Sequence, residues 1–349
     1  MKKAQRHKLG WHSGPAEWGP GIIAGLGCAL PLLLGLLSGH PGFLWASVGA
    51  FLAAQANPLH RFGMFRLLLL TLLGALSAGL GFWAATEPVL SFVLFAVYGF
   101  LLAWLQRFGS EAGKLGISLA VCLCLGQGQF GMVNLKNADA VAALFILGGL
   151  WVALLAFGMR GLHGLRMWPY MPRFLGIFKV LRRYAKRLPE QRWRLHALRC
   201  TLACGGAGLI VNLAGLPRGY WLTLALFATL QLEFKGSLVR ALQSSLASLC
   251  VAALLIYLGY SLQSPPLMVA TILPLIVLNR AFQAHSYSLF VLQVSLSFVL
   301  LAECLAPDWQ LAQMRLFNSL IGVTLALLVA LLIYGLEQHL LRRQAAVHS

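Results

Sequence analysis

The chain has 349 residues, 59% of them hydrophobic and only 10% charged, with a mean hydropathy of +0.79. That composition excludes a soluble globular protein and points to an integral membrane protein. The net charge of +18 does not indicate a nucleic-acid partner, because the Lys and Arg residues lie between apolar runs, as the positive-inside bias of cytoplasmic loops predicts.

Residues 1–18 are polar and carry Lys2, Lys3, Arg6 and Lys8, which reads as a cytoplasmic N-terminal segment that is retained. Apolar runs at 19–38, 43–56, 67–86, 89–105, 115–131 and 139–159 predict a first membrane unit of six helices over 19–159. The composition then changes. Residues 160–197 form a basic linker; counted from Arg160 to Arg199, eleven Lys and Arg stand against one acid, Glu190. Within it, Phe174–Arg187 has the pattern of a basic amphipathic helix at a membrane surface. Runs at 198–214, 220–234, 241–261, 266–283, 287–304 and 314–339 predict a second six-helix unit over 198–349. With the N-terminus inside, 24 Lys and Arg fall on the cytoplasmic side and three (Lys136, Arg218, Arg315) outside, which sets both termini in the cytoplasm.

The two units share landmarks. Pro41, Trp45 and Gln55 precede Pro217, Trp221 and Gln231 by a constant 176 positions, and Leu105-Gln106-Arg107-Phe108 recurs as Leu278-Asn279-Arg280-Ala281. This pattern predicts an internal repeat. Because each unit has an even number of helices, the repeats are expected to be parallel, related by an axis along the membrane normal. The fold expected is therefore all-α and integral to the membrane, with about 12 transmembrane helices in two parallel six-helix repeats.

The run from Tyr220 to Phe234 is the organising stretch. Its roughly 14 mainly apolar positions make about 21 Å of helix against a hydrocarbon core of about 30 Å. A short or broken helix ending in polar residues is where transporters place ligand sites. Gln231, Glu233, Lys235 and Arg240 follow it here, and Gln55, Arg61 and Arg66 follow the matching run of the first unit. Together with Arg107 and Arg280, these basic residues predict an anion path lined from two sides; positive-inside loops are the plain alternative. Acids are scarce, and Glu233 is the candidate for proton coupling, with an ion pair to Lys235 as its structural alternative. Trp45 and Trp221 fit an interfacial aromatic belt, with stacking on an aromatic substrate as the second reading. Gln127, Gln129, Asn212, Gln293 and Asn318 are expected to bond between helices. The seven cysteines read as packing residues, and no His-Glu-x-x-His or Gly-x-Ser-x-Gly motif is present. No enzyme activity, metal or cofactor is expected.

Leu216-Pro217-Arg218-Gly219-Tyr220-Trp221, followed by Thr223, Gln231, Gly236 and Arg240, resembles the fusaric acid resistance (FUSC) and aromatic acid exporter family of bacterial inner-membrane proteins. Gly39-His40-Pro41-Gly42, Trp45, Gln55 and Arg66 match it more loosely. Larger members carry a cytoplasmic domain where this chain has only its basic linker, and Ala247-Ser248 replaces a Gly-Thr step. The resemblance implies a multi-pass bacterial inner-membrane exporter of small organic anions, aromatic carboxylic acids or related weak acids, with a periplasmic adaptor protein as a candidate partner beside the lipid bilayer. By analogy with related plant anion channels, it also favours a central Arg-lined path. A passive anion channel, and a non-transporting membrane component of a siderophore or envelope-biosynthesis system, are the alternatives.

Overall fold

The computed structural model describes residues 15–56, 63–128, 137–160, 183, 185, 189–258, 264–283, 285–305 and 311–347. The described residues form twelve α-helices: α1 (Trp18–Ser38), α2 (Pro41–Ala54), α3 (Gly63–Ala84), α4 (Pro88–Arg107), α5 (Ser110–Gln127), α6 (Ala138–Arg160), α7 (Glu190–Leu213), α8 (Tyr220–Thr229), α9 (Phe234–Leu258), α10 (Pro265–Ala281), α11 (Tyr287–Leu305) and α12 (Leu311–Val347). No strand occurs among the described residues. Local chemistry sets several boundaries. Proline opens α2, α4 and α10, where its missing N–H is one the helix could not have paired anyway. Gly39 ends α1 in the left-handed conformation at φ 67°.

Six helices, namely α1, α3, α4, α6, α9 and α12, are long and apolar enough to cross a membrane. Their outer faces remain greasy: Leu72, Leu76, Leu154, Leu246 and Leu332 are all exposed, the inverse of a water-soluble surface. Satisfied helices with apolar exteriors are what a bilayer demands, so this is a multi-pass membrane protein.

The packing has a regular plan. In the first six helices α1 lies on α2, α2 on α6, α3 on both α5 and α6, and α4 on α5; in the last six, α7 lies on α8, α8 on α12, α9 on both α11 and α12, and α10 on α11. Between the halves, α4 packs along α7 and α10 packs along α1. Two close approaches fix the register. A Cβ on Gly148 of α6 would sit 1.9 Å from the Ala46 carbonyl oxygen of α2, and one on Gly322 of α12 would sit 2.2 Å from that of Leu222 on α8. Only glycine permits such backbone contact.

Hydrogen bonds sort the helix ends into two sets. At one end, the Glu17 amide donates to the Ala281 carbonyl (3.0 Å), joining the start of α1 to the end of α10. At the other, Asn212 of α7 donates to the Ala84 carbonyl of α3 (2.9 Å) and accepts from Gln127 of α5 (3.5 Å). These are the interhelical amide bonds expected for Gln127 and Asn212. Asn318 of α12 likewise donates to the carbonyls of Pro217 (2.9 Å) and Arg218 (3.3 Å).

One helix boundary differs from the sequence reading. The run from Tyr220 does not continue to Phe234: α8 stops at Thr229, Leu230 turns extended (φ −68°, ψ 108°), and α9 begins at Phe234. Leu230 and Leu232 kept the hydropathy high through a segment whose backbone leaves the helix. The proposed amphipathic helix at Phe174–Arg187 lies outside the described residues apart from Arg183 and Ala185.

Candidate substrate path between the halves

Ten residues of α8 rise only about 15 Å, so the elbow at Leu230–Glu233 brings freed backbone groups well inside the bundle. A polar network fastens it. Arg199 of α7 is 6% exposed and donates to the Gln231 carbonyl and to Nδ1 of His196 (2.7 Å). His196 in turn donates from Nε2 to Oε1 of Gln106 (2.6 Å), and the Gln106 amide donates to the Leu230 carbonyl (3.4 Å). The Arg199 donor fixes the imidazole as its Nε2–H tautomer. Ser237, on the first turn of α9, accepts from the Gln231 amide (3.0 Å). The exit of α8 is thus held by four side chains from α4, α7 and α9.

A parallel arrangement closes α2. Arg280 of α10 is 4% exposed, donates from Nε to the Ala54 carbonyl (3.3 Å), and pairs through Nη1 with Glu17 (2.9 Å). Next to Ala54, both polar side-chain atoms of Gln55 are buried without a hydrogen-bond partner. Arg107, at the matching end of α4, takes a different role: its guanidinium lies 4.8 Å over the Trp193 ring, and its Nε donates to the Ala185 carbonyl (3.3 Å). Trp193 donates to the Ala103 carbonyl (3.3 Å). One seam is therefore closed by an ion pair and the other by cation–π stacking and neutral hydrogen bonds.

The remaining sequence candidates are distributed. Arg66 and Arg240 are half-buried in the early turns of α3 and α9. Lys235 and Glu233 are both exposed, and no salt bridge joins them among the described residues. Arg61 lies outside the described residues. Trp45 is half-buried against the core formed by α1, α2 and α6, so an interfacial role fits only part of its ring. Trp221, read from sequence as an interfacial residue, is 3% exposed on a helix that packs against α12. Arg315 of α12 lies 4.1 Å over its centroid, and Tyr220 lies beside it at 4.8 Å.

Sequence reasoning passed over Arg199, His196 and Arg315. Arg199 and Arg315 lie at the ends of the apolar runs, where they count only toward the charge balance of the two sides. The signal available was position inside a helix; a charge at mid-bilayer costs on the order of 3 kcal/mol even on the mildest scale. Arg199, Arg280 and Arg315 are buried, and no carboxylate is buried among the described side chains. Of these three, Arg280 has a carboxylate partner, the part-exposed Glu17. Among the described residues no three His, Cys, Asp or Glu side chains gather as metal ligands.

No curated protein and no protein of solved structure matches the chain. Residues 205–329 match the family described as fusaric acid resistance protein-like, a span that runs from the middle of α7 into α12 and holds the elbow, Trp221, Arg240, Arg280 and Arg315. A domain similar to that family, set in a multi-pass helical bundle, supports a membrane transport role.

Proposed function

We propose that the protein is a bacterial inner-membrane exporter of organic anions, aromatic carboxylates or related weak acids, built as two parallel six-helix repeats with both termini in the cytoplasm. The observation that carries this reading is the set of three buried guanidinium groups in an interior without a buried carboxylate among its described side chains. The matched packing of α1–α6 and α7–α12, and the paired glycine contacts at Gly148 and Gly322, support the repeat. In this reading substrate enters from the end that carries Arg61, Arg66, Lys235 and Arg240. It passes between Gln55 and Gln231, where Arg280 and Arg107 flank the two seams. Glu233, exposed at the elbow, takes up the coupling proton.

Uptake of labelled organic anions into inverted membrane vesicles, with and without a protonophore, tests the proposal. A proton-coupled exporter accumulates the anion and loses that accumulation with the protonophore. One observation favours a second reading: Glu233 is exposed at the elbow, and no salt bridge holds it among the described residues. Flux that follows the substrate gradient regardless of protonophore would establish a passive anion channel instead. No flux for any anion in the panel would end the transport proposal and favour the accessory-component reading.

A further inference from the structure

Arg315 is a buried cation with no counterion among the described residues. It projects from the second turn of α12, is 5% exposed, and forms no salt bridge with any acid among the described residues. Two of its nitrogens are occupied: Nη1 donates to the Ser295 carbonyl of α11 (2.6 Å), and Nη2 donates to the Ser295 hydroxyl. Its Nε is buried and has no hydrogen-bond partner. One face of the guanidinium lies on Trp221. The plane and one edge of the group are therefore set in place, while its charge and its Nε donor remain unanswered.

The surroundings are equally specific. Trp221 and Tyr220 belong to the apolar cluster shared by the two halves, along with Phe51 of α2 and Leu296 of α11. Asn318, one turn after Arg315, holds the carbonyls of Pro217 and Arg218 and so fixes the start of α8 that carries both aromatic rings. The charge also breaks the internal likeness. Counting back seven residues from the paired contacts at Gly148 and Gly322 reaches Val141 in the first half and Arg315 in the second. Packing at this position needs no cation, since a valine fills the matching place.

We propose that Arg315, Trp221 and Tyr220 form a binding site for the carboxylate and ring of an aromatic acid on its way through the bundle. This rests on the transport reading above and names its substrate site. The Nε edge of the guanidinium receives the carboxylate in a charge-assisted hydrogen bond, and the two rings present flat apolar faces to the substrate ring. A neutral amide of the same ring lacks the charge, and a saturated ring of the same charge lacks the stacking face.

The test uses the full chain in lipid nanodiscs, titrated calorimetrically with benzoate, benzamide and cyclohexanecarboxylate. Benzoate is expected to bind, benzamide to bind about tenfold or more weakly, and Arg315→Met to lose benzoate affinity by a similar factor. Arg315→Lys keeps the charge but not the planar fork, and is expected to fall between. Trp221→Leu should erase the preference for benzoate over cyclohexanecarboxylate. A structural arginine would behave differently, so thermal unfolding is read alongside: Arg315→Met is expected to melt at or above the wild-type temperature. Unchanged benzoate affinity in Arg315→Met, or benzamide binding as tightly as benzoate, overturns the site while wild-type vesicle flux keeps the transport reading. A large drop in the melting temperature of Arg315→Met, with Arg315→Lys binding like wild type, also overturns it by making the residue structural. Wild-type protein that neither binds nor moves any of the anions removes both.

Discussion

Alanine at Gly322 should push α8 and α12 apart. The new methyl would sit 2.2 Å from the Leu222 carbonyl oxygen, 3.0 Å from its carbon and 3.1 Å from its Cα. These are backbone atoms inside a helix, and they cannot swing away as a side-chain tip would. Relaxed C···O contacts lie at about 3.3–3.6 Å, so the two helices must separate locally by about 1 Å. A gap of that size forfeits roughly a quarter to a half of each dispersion contact along the interface, and overpacking of this kind costs about 1–3 kcal/mol. Alanine's better helix propensity returns about 1 kcal/mol, leaving a net loss of up to about 2 kcal/mol. Gly148→Ala should behave alike, its methyl meeting the Ala46 carbonyl at 1.9 Å. Gly206 and Gly335 are the controls, because a methyl on either meets nothing within 4 Å. The readout is thermal unfolding in detergent followed with a thiol-reactive dye, since Cys28, Cys122, Cys124, Cys200 and Cys204 are buried and free. Gly322→Ala melting at or above Gly335→Ala would refute the close approach of α8 and α12.

Three further outcomes follow from the seams and the turn before α8. Glu17→Gln strands the buried charge of Arg280; with the Glu17 side chain 41% exposed, the loss should be about 1–2 kcal/mol, below that of a fully buried pair. Added salt should lower the melting temperature of the wild type more than that of this variant. Gln106→Leu leaves the Leu230 carbonyl without its side-chain donor and the His196 Nε2–H with only the Cys200 sulfur at 3.6 Å, a cost of about 1–3 kcal/mol, measurable by the same thiol assay and as faster amide exchange at Leu230–Gln231. Arg218 holds φ at +55°, where a side chain costs about 1–2 kcal/mol; Arg218→Gly should therefore leave stability unchanged or raise it, and a clear drop in melting temperature would contradict the assigned turn.

Hydropathy made the helices legible. Apolar runs gave twelve segments, and the described residues form twelve helices, six of them long and apolar enough to cross a membrane, because in a bilayer every backbone group must be paired within its own segment. The elbow after Thr229 was only half legible: shortness was visible in the run, but Leu230 and Leu232 carry the same apolar signal in or out of a helix. Burial was not legible at all. Trp221 reads as an interfacial residue, and Arg199 and Arg315 as charges at the ends of apolar runs, yet all three are buried. Gln106-Arg107 stands where α4 meets α7, and the recurring Asn279-Arg280 where α10 meets α1. Yet the recurrence concealed a divergence of partners, Trp193 for one arginine and Glu17 for the other.

The shortness of α8 also bears on the electric field. The helix runs for ten residues, Tyr220–Thr229, about 15 Å where the hydrocarbon is about 30 Å thick. If water reaches both ends of that helix, the membrane voltage falls across half the usual distance and the local field doubles. Each 100 mV is worth about 2.3 kcal/mol per elementary charge, and with the cytoplasm negative that work drives an anion outward. An anion crossing beside α8 would thus collect most of the voltage in a single short step, and its flux should rise steeply as the membrane is hyperpolarised.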